Sequence, residues 1–168
     1  PRSRLVLEVT ESAIMQDPEL ALGVLNALDQ HGLLLSIDDY GTGYSSMSYL
    51  KQLPVRELKI DKSFVLDLAS NQEDEILVRS AIDLGHNLGL KITAEGVEDE
   101  KSLTMLSDFG CDLIQGFFIS KPLPVADLYD FLENSPYGIA GWKRAQSKKD
   151  DDPVGSLVNL TQRRLSNL

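Results

Sequence analysis

Short strand-like runs alternate with amphipathic helical stretches along most of this chain, and this alternation restricts the fold more than any other feature. The segments between the runs carry apolar residues at helical spacing. Strands that alternate with helices are typical of a parallel sheet, because each parallel connection must cross back over the sheet. The sequence therefore predicts an α/β fold with five strands, at 5–9, 33–38, 57–60, 90–95 and 113–120.

Capping and helix-breaking residues predict five helices. The clearest begins at Pro18, after the capping residue Asp17, and stops before Gly32. A shorter one runs from Ser45 to Leu53. Glycines or a turn end the others, which cover 73–89, 98–110 and 125–134.

The length of the chain and its change of character near Pro136 set the predicted domain organisation. The chain has 168 residues, of which 42% are hydrophobic, so residues 1–136 are expected to form one domain. Residues 137–168 are polar and rich in turns, which predicts a flexible tail. Its leucines leave open a short C-terminal helix. The chain begins at Pro1, so we expect it to be part of a longer protein.

Composition excludes several classes of function. Asp and Glu outnumber Lys and Arg by 26 to 16, and a net charge of -10 argues against binding DNA or RNA. The single cysteine, Cys111, excludes an internal disulfide framework and a cysteine zinc cluster, and it favours a reducing compartment. No apolar run approaches the roughly 18 residues of a membrane span, and we find no signal peptide.

Polar residues occur near the carboxyl end of each predicted strand. In a parallel barrel these ends meet at one mouth, where active sites lie. Each residue taken alone also has a structural explanation, as a helix cap or as a partner in an ion pair such as Lys59 with Asp61. Taken together they predict a site built from six residues: Glu8, Asp38, Asp39, Lys59, Glu95 and Gln115.

The types of these residues indicate metal-dependent chemistry. Clustered carboxylates repel one another unless a cation lies among them, and oxygen ligands favour Mg²⁺ or Mn²⁺. Two such ions can hold a phosphate diester and activate a water molecule for attack on phosphorus. Lys59 would stabilise the developing charge or orient that water. The predicted reaction is hydrolysis without a protein nucleophile.

Four runs of the chain closely resemble the EAL domain, a family of bacterial phosphodiesterases that linearise cyclic diguanylate (c-di-GMP). They are "LVLEVTESAI", "SIDDYGTGYSSMSYLKQLPVRELKIDKSFV", "ITAEGVE" and "GCDLIQGFFISKPLP", between residue 5 and about residue 133. The resemblance implies a TIM-barrel-like (βα)8 fold, of which this chain holds about strands four to eight. Tyr40 stands where many members have phenylalanine.

The resemblance also implies individual roles. It implies two ions, Mg²⁺ or Mn²⁺, held by four acidic ligands: Glu8, Asp38, Asp39 and Glu95. It implies catalytic roles for Lys59, near the attacking water, and for Glu95, as base or as ligand of the second ion. It places three further residues beside the site, one near the substrate and two bracing loops: Gln115, Glu11 and Glu98.

Two functions are compatible with this resemblance. The first is metal-dependent hydrolysis of c-di-GMP to linear pGpG. The Glu-Ala-Leu signature and the strand with the family's asparagine ligand would lie upstream of Pro1, so the isolated chain is expected to be inactive. The alternative is a catalytically inactive EAL module that acts as a c-di-GMP receptor or a protein-interaction scaffold.

The resemblance further implies partners and a location. Members of the family dimerise through the region that here is the loop and helix after Asp39, which predicts a homodimer. Sensor or GGDEF domains are expected upstream. The expected compartment is the bacterial cytoplasm, even where the parent protein is tethered to a membrane.

Overall fold

The strands of the computed structural model form one parallel sheet, and residues 5–43 and 47–138 are described. Strands β1 to β5 follow one another in chain order across the sheet. Parallel crossovers are right-handed, so strands added in this order keep their helices on one face, as in a βα barrel. The predicted α/β fold with a parallel sheet is confirmed, and its strands are Val6–Thr10, Leu34–Tyr40, Glu57–Ile60, Lys91–Ala94 and Leu113–Ile114.

The described residues contain seven helices, two more than predicted. The additional ones, α1 and α4, are short and follow their strands directly, with Thr10 and Asp61 as capping residues. Of the other five, α7 has the predicted bounds 125–134, and the remaining four overlap the predicted helices with shifted ends. The helices α1 to α7 are Glu11–Gln16, Pro18–Gln30, Met47–Leu50, Lys62–Val65, Gln72–Asn87, Glu100–Asp108 and Val125–Asn134.

The predicted fifth strand, 113–120, is wrong beyond Ile114. The chain turns there, because the Phe118 N–H donates to the carbonyl of Val97 at 3.0 Å and the Ile119 N–H donates to that of Gly116 at 3.1 Å. Gly116 lies against the Val97 backbone, so the apolar run folds around that loop instead of extending the sheet. The start of the predicted helix 45–53 and the tail from residue 139 lie outside the described residues.

The two faces of the sheet differ in chemistry, because side chains alternate along each strand. One set of strand residues belongs to the buried core and packs with helical residues such as Leu25 of α2 and Ile82 of α5. This set includes Leu35, Ile37, Leu58, Ile60, Ile92 and Ala94. The alternate residues on the other face include Glu8, which pairs with Ser36 across β1 and β2, and Lys59, which pairs with Thr93 across β3 and β4. The helices therefore cover the apolar face and leave the polar face for a site.

Both edges of the sheet are open within the described residues. Strand β1 pairs with β2 alone, and β5 pairs with β4 alone. Apolar side chains are exposed near both edges, with Val6 at 40% and Leu113 at 39%. Helix α7 buries none of its residues.

None of the helices in the described part of the chain has the length and apolar character needed to cross a bilayer.

Candidate functional site

Lys59 lies at the centre of the polar face and is surrounded by carboxylates. Its Nζ atom is 2.9 Å from Glu8 Oε1, 3.3 Å from Asp38 Oδ1 and 2.6 Å from Glu95 Oε1. Glu8 comes from β1, Asp38 from β2, and Glu95 directly follows β4, so the carboxylates approach β3 from both sides. The sheet thus brings together four of the predicted site residues.

Lys59 is only 6% exposed, yet these contacts keep its ammonium charged. Burial by itself lowers the pKa of Lys59, but hydrogen bonds to Glu95 and Glu8 and the charges of Glu95 and Asp38 outweigh that effect. The pKa of Lys59 is therefore well above its ordinary value. At neutral pH the site holds a permanent positive charge among its carboxylates.

The adjacent residues Asp38 and Asp39 direct their carboxylates to the same place. Neighbouring residues in a regular strand point to opposite faces. Here the pairing of β2 with β3 shifts between Ile37 and Tyr40, and Asp39 has a left-handed backbone with φ of 54°. As a result, oxygen atoms of Asp38, Asp39 and Glu95 all lie within 4.8 Å of one another.

Asp61 is a further acidic residue at this site and is not among the predicted site residues. Burial, the charges of Asp38 and Asp61, and a hydrogen bond with Asp61 raise the pKa of Asp39, and Lys59 offsets only part of this. Burial also acts to raise the pKa of Asp61, but hydrogen bonds, led by those from Ser63, lower it overall. Asp61 also caps α4, accepting from the Ser63 N–H at 2.9 Å, and a capping Asp straight after a strand is the signal that could have identified it.

The donor set fits a hard divalent cation. Asp38 Oδ1 is buried and accepts no hydrogen bond from the described residues, although Lys59 Nζ attracts it from 3.3 Å. A buried carboxylate oxygen without a donor is costly unless a cation is bound to it. The surrounding ligand atoms are carboxylate oxygens, which Mg²⁺ and Mn²⁺ prefer.

Glu11 holds the loop that follows Asp39. The residue is 2% exposed, and its Oε2 accepts hydrogen bonds from the Gly41 N–H at 2.8 Å and the Gly43 N–H at 3.2 Å. Gly41 has φ of 102°, and a Cβ atom there would lie 2.7 Å from the Phe64 ring. Glycine is therefore required at position 41 for the loop to turn toward Glu11.

Gln115 and Glu98 are not joined to the Lys59 cluster. Gln115 follows β5, its N–H donates to the Ala94 carbonyl at 2.9 Å, and its own carbonyl accepts from the Val97 N–H at 3.2 Å. The side chains of Gln115 and Glu98 are exposed. Within residues 5–43 and 47–138, neither side chain contacts the cluster through an ion pair or a hydrogen bond. The roles inferred for both remain predictions.

Comparison with known protein families decides which family carries this arrangement. Residues 1–122 match the EAL domain. The chain belongs to the EAL domain family. The predicted resemblance is confirmed, and the five-stranded sheet is the corresponding part of the TIM-barrel-like EAL fold.

Two curated relatives of this EAL chain come from Pseudomonas aeruginosa. The first, "Bifunctional diguanylate cyclase/cyclic di-GMP phosphodiesterase MucR", is 48% identical over 126 residues, which are 75% of this chain and 18% of MucR. The second, "Cyclic di-GMP phosphodiesterase NbdA", is 44% identical over 128 residues, which are 76% of this chain and 16% of NbdA. The chain therefore spans less than a fifth of the length of these relatives.

Solved EAL structures match the sheet and its helices. "PaMucR Phosphodiesterase, c-di-GMP complex" has a TM-score of 0.74 and 47% identity, over 76% of this chain and 51% of that structure. A manganese and c-di-GMP complex of Klebsiella pneumoniae BlrP1 has a TM-score of 0.67 and 33% identity, over 72% of this chain and 31% of that structure. The chain spans about half of the MucR phosphodiesterase structure.

Proposed function

We propose that this chain is the part of a c-di-GMP phosphodiesterase that supplies most of the metal ligands and the site lysine, and that the complete domain hydrolyses c-di-GMP to linear pGpG. The observation that carries the proposal is the convergence of Asp38, Asp39 and Glu95 beside Lys59. The curated names of MucR and NbdA and the c-di-GMP complexes of related structures support it.

Four carboxylates would hold divalent ions in the complete domain: Glu8, Asp38, Asp39 and Glu95. We propose Mg²⁺ or Mn²⁺ as the ions, two in number, and the manganese complex of a related EAL structure supports this choice. When bound, such ions supply Lewis-acid polarisation of the phosphodiester and activation of the attacking water. The chain's own task is to keep four like charges close together, and the buried ammonium of Lys59 makes this possible.

Lys59 and Glu95 are the proposed catalytic residues. The Lys59 ammonium, held at 2.6 Å by Glu95 and at 2.9 Å by Glu8, is placed to stabilise negative charge that develops on the phosphate oxygens. Glu95 is the proposed base, since a carboxylate at the edge of the cluster can accept a proton from the attacking water. Gln115 is proposed to lie beside the substrate, and Glu11 and Glu98 are proposed to brace the loops that follow their strands, as Glu11 does for the loop after Asp39.

The experiment compares variants in the complete domain, in which this chain is joined to the segment that supplies the rest of the EAL domain. Asp38→Ala should abolish c-di-GMP hydrolysis and weaken Mn²⁺ binding, because a methyl group cannot replace a carboxylate ligand. Asp29→Ala is the matched control, since Asp29 lies in α2 and pairs with Arg56 at 3.7 Å, away from the cluster. Normal turnover with unchanged Mn²⁺ affinity in Asp38→Ala would remove Asp38 from the site.

Lys59→Ala tests the lysine separately. We expect the activation free energy to rise by about 2 kcal/mol or more, and the rate to fall accordingly. This is the scale for the loss of a preorganised electrostatic group. A rate within about threefold of that of the unsubstituted domain would contradict the catalytic role of Lys59.

Binding of c-di-GMP without turnover in the intact domain would favour the alternative, a receptor or scaffold module.

Partners and location complete the proposal. We propose a homodimer formed through the loop after Asp39 and helix α3, and a cytoplasmic site of action. We also propose upstream sensor or GGDEF domains, because MucR is named as both a cyclase and a phosphodiesterase and is far longer than this chain. Cross-linking of the complete domain through a cysteine placed at exposed Lys51 would test the dimer surface.

A further inference from the structure

Lys59 contacts the same carboxylates that a metal ion would need. Asp38 and Glu95 belong to the group of three residues whose oxygens converge within 4.8 Å, and both also pair with Lys59 Nζ, at 3.3 and 2.6 Å. Asp39, the third member, forms none of the ion pairs of the described residues. Two of the three potential ligands are therefore already engaged by a cation of the chain itself.

No other basic residue performs this task in the described part of the chain. The ion pairs of Glu8, Asp38 and Glu95 there are all made with Lys59. A cation this close to three carboxylates offsets the repulsion that would otherwise separate them. The same contacts place the ammonium where it competes with any ion that approaches Asp38 and Glu95.

We propose that Lys59 is a built-in counter-cation of the metal-free site, which keeps its carboxylates together and must release Asp38 and Glu95 before a divalent ion can bind them. This inference rests on the metal site of the proposed function and adds a second role for Lys59, as the residue that sets metal affinity. The hydrogen-bond geometry supports release: Lys59 bonds to Glu95 and Glu8, whereas it only attracts Asp38 Oδ1, so Asp38 is the ligand it can give up first.

The substitution Lys59→Met distinguishes this role from a purely catalytic one. Methionine keeps an unbranched side chain that is one atom shorter and removes the charge, so a divalent ion no longer competes with an ammonium. We expect Mn²⁺ affinity, measured by calorimetry on the complete domain, to rise roughly tenfold. We also expect the melting temperature in EDTA to fall, because the carboxylates then lie together without a cation.

Lys62→Met is the matched control. Lys62 begins α4, one residue after Asp61, and its exposed side chain makes no ion pair with the cluster among the described residues. It removes the same charge from the same neighbourhood without touching Asp38 or Glu95. An equal gain in Mn²⁺ affinity for both variants would show a general charge effect and overturn the proposal.

A second measurement uses the unsubstituted domain. With ¹⁵N-labelled lysine, the slowly exchanging Lys59 ammonium should give a signal in the metal-free domain that moves or disappears as Mg²⁺ is added. An unmoved signal at saturating Mg²⁺, or a lower Mn²⁺ affinity in a folded Lys59→Met domain, would overturn the counter-cation role. Failure of the unsubstituted domain to bind either ion would instead refute the metal site of the proposed function.

Discussion

Glu11 Oε2 accepts a hydrogen bond from the Gly41 N–H at 2.8 Å, across a separation of 30 residues. Glu11 begins the helix after β1, and Gly41 begins the loop after β2. The contact therefore joins two consecutive strand-to-helix connections at the carboxyl ends of the strands. It also fixes the chain two residues after Asp39, whose left-handed backbone turns its carboxylate toward Asp38.

Replacing Glu11 should loosen the site without removing a ligand. In Glu11→Ala the N–H groups of Gly41 and Gly43 lose their acceptor, at a cost of roughly 1 to 3 kcal/mol in stability. We expect Mn²⁺ affinity of the complete domain to fall several-fold, measured by calorimetry. Glu19→Ala, at an exposed position of α2, is the control. Equal affinity in the two variants would show that the loop does not depend on Glu11.

Gly116 should not tolerate a side chain. A Cβ atom there would lie 2.1 Å from the carbonyl oxygen of Val97, and backbone cannot yield as a flexible side chain can. We expect Gly116→Ala to destabilise the domain by about 1 to 3 kcal/mol in urea unfolding. Gly23→Ala in α2 has open space around it and should be neutral or stabilising. The reverse order of stabilities would contradict the packing described for the chain after β5.

Asp99 should stabilise α6 in a pH-dependent way. Its carboxylate accepts from the Ser102 N–H at 2.8 Å and from the Ser102 hydroxyl at 2.6 Å, and these bonds hold the pKa of Asp99 below its ordinary value of 3.8. The ionised cap therefore stabilises the fold above pH 3.8, and this stabilisation is lost as the pH falls through the lowered value. Asp99→Ala should cost about 1 kcal/mol at pH 7.

The control for Asp99 is Asp108→Ala, at the other end of the same helix, where a negative charge is unfavourable. Urea unfolding at pH 7 should separate the two variants, and at pH 3 the difference should shrink. A constant difference across this range would mean that the capping charge is not the source of the stability.

Cys111 should be unreactive in the folded chain. It is fully buried, and burial raises the pKa of its thiol to about 12 despite hydrogen bonds to neighbouring backbone groups. The thiolate needed for alkylation is therefore nearly absent at pH 8. We expect iodoacetamide to modify Cys111 only at the rate of unfolding, followed by mass spectrometry with and without urea. Rapid modification in native buffer would show that β4 and β5 separate readily.

The open edges of the sheet should make the 168-residue chain associate. Strands β1 and β5 each leave one side unpaired within the described residues, and such edges pair with other chains. We expect light scattering to show dimers or larger species, and we expect no measurable c-di-GMP hydrolysis. Val6→Lys places a charge at the β1 edge and should reduce association. A stable monomer that hydrolyses c-di-GMP would contradict both expectations.

The sequence was sufficient to predict the sheet and the residues around Lys59, because both depend on periodic features. Alternation of strands and helices determines a parallel sheet. The positions of Glu8, Asp38 and Glu95 near the carboxyl ends of their strands place them at the same end of the sheet. The ion pairs of Lys59 follow from that placement. Local hydrophobicity, however, predicted a β5 that is too long. Aromatic residues that pack in a loop give the same apolar run in the sequence as a strand does.

The sequence did not predict the features that depend on backbone irregularity. Nothing in an Asp-Asp pair signals that Asp39 adopts φ of 54°, because that conformation is usual for glycine and uncommon for aspartate. The bulge in the pairing of β2 with β3 depends on both strands and on the loop between them. For the same reason the sequence does not show that Asp61, an alternative ion-pair partner for Lys59, lies beside Asp39.

Because the sheet has an apolar and a polar face, selection for folding and selection for chemistry act on different residues of each strand. In β3, Leu58 and Ile60 are in the core, and Lys59 between them serves the site. A mutation at one set of positions endangers folding, and a mutation at the other endangers chemistry. An EAL barrel can therefore lose its enzymatic activity through ordinary drift while keeping its architecture, which leaves a folded scaffold free to acquire a binding task.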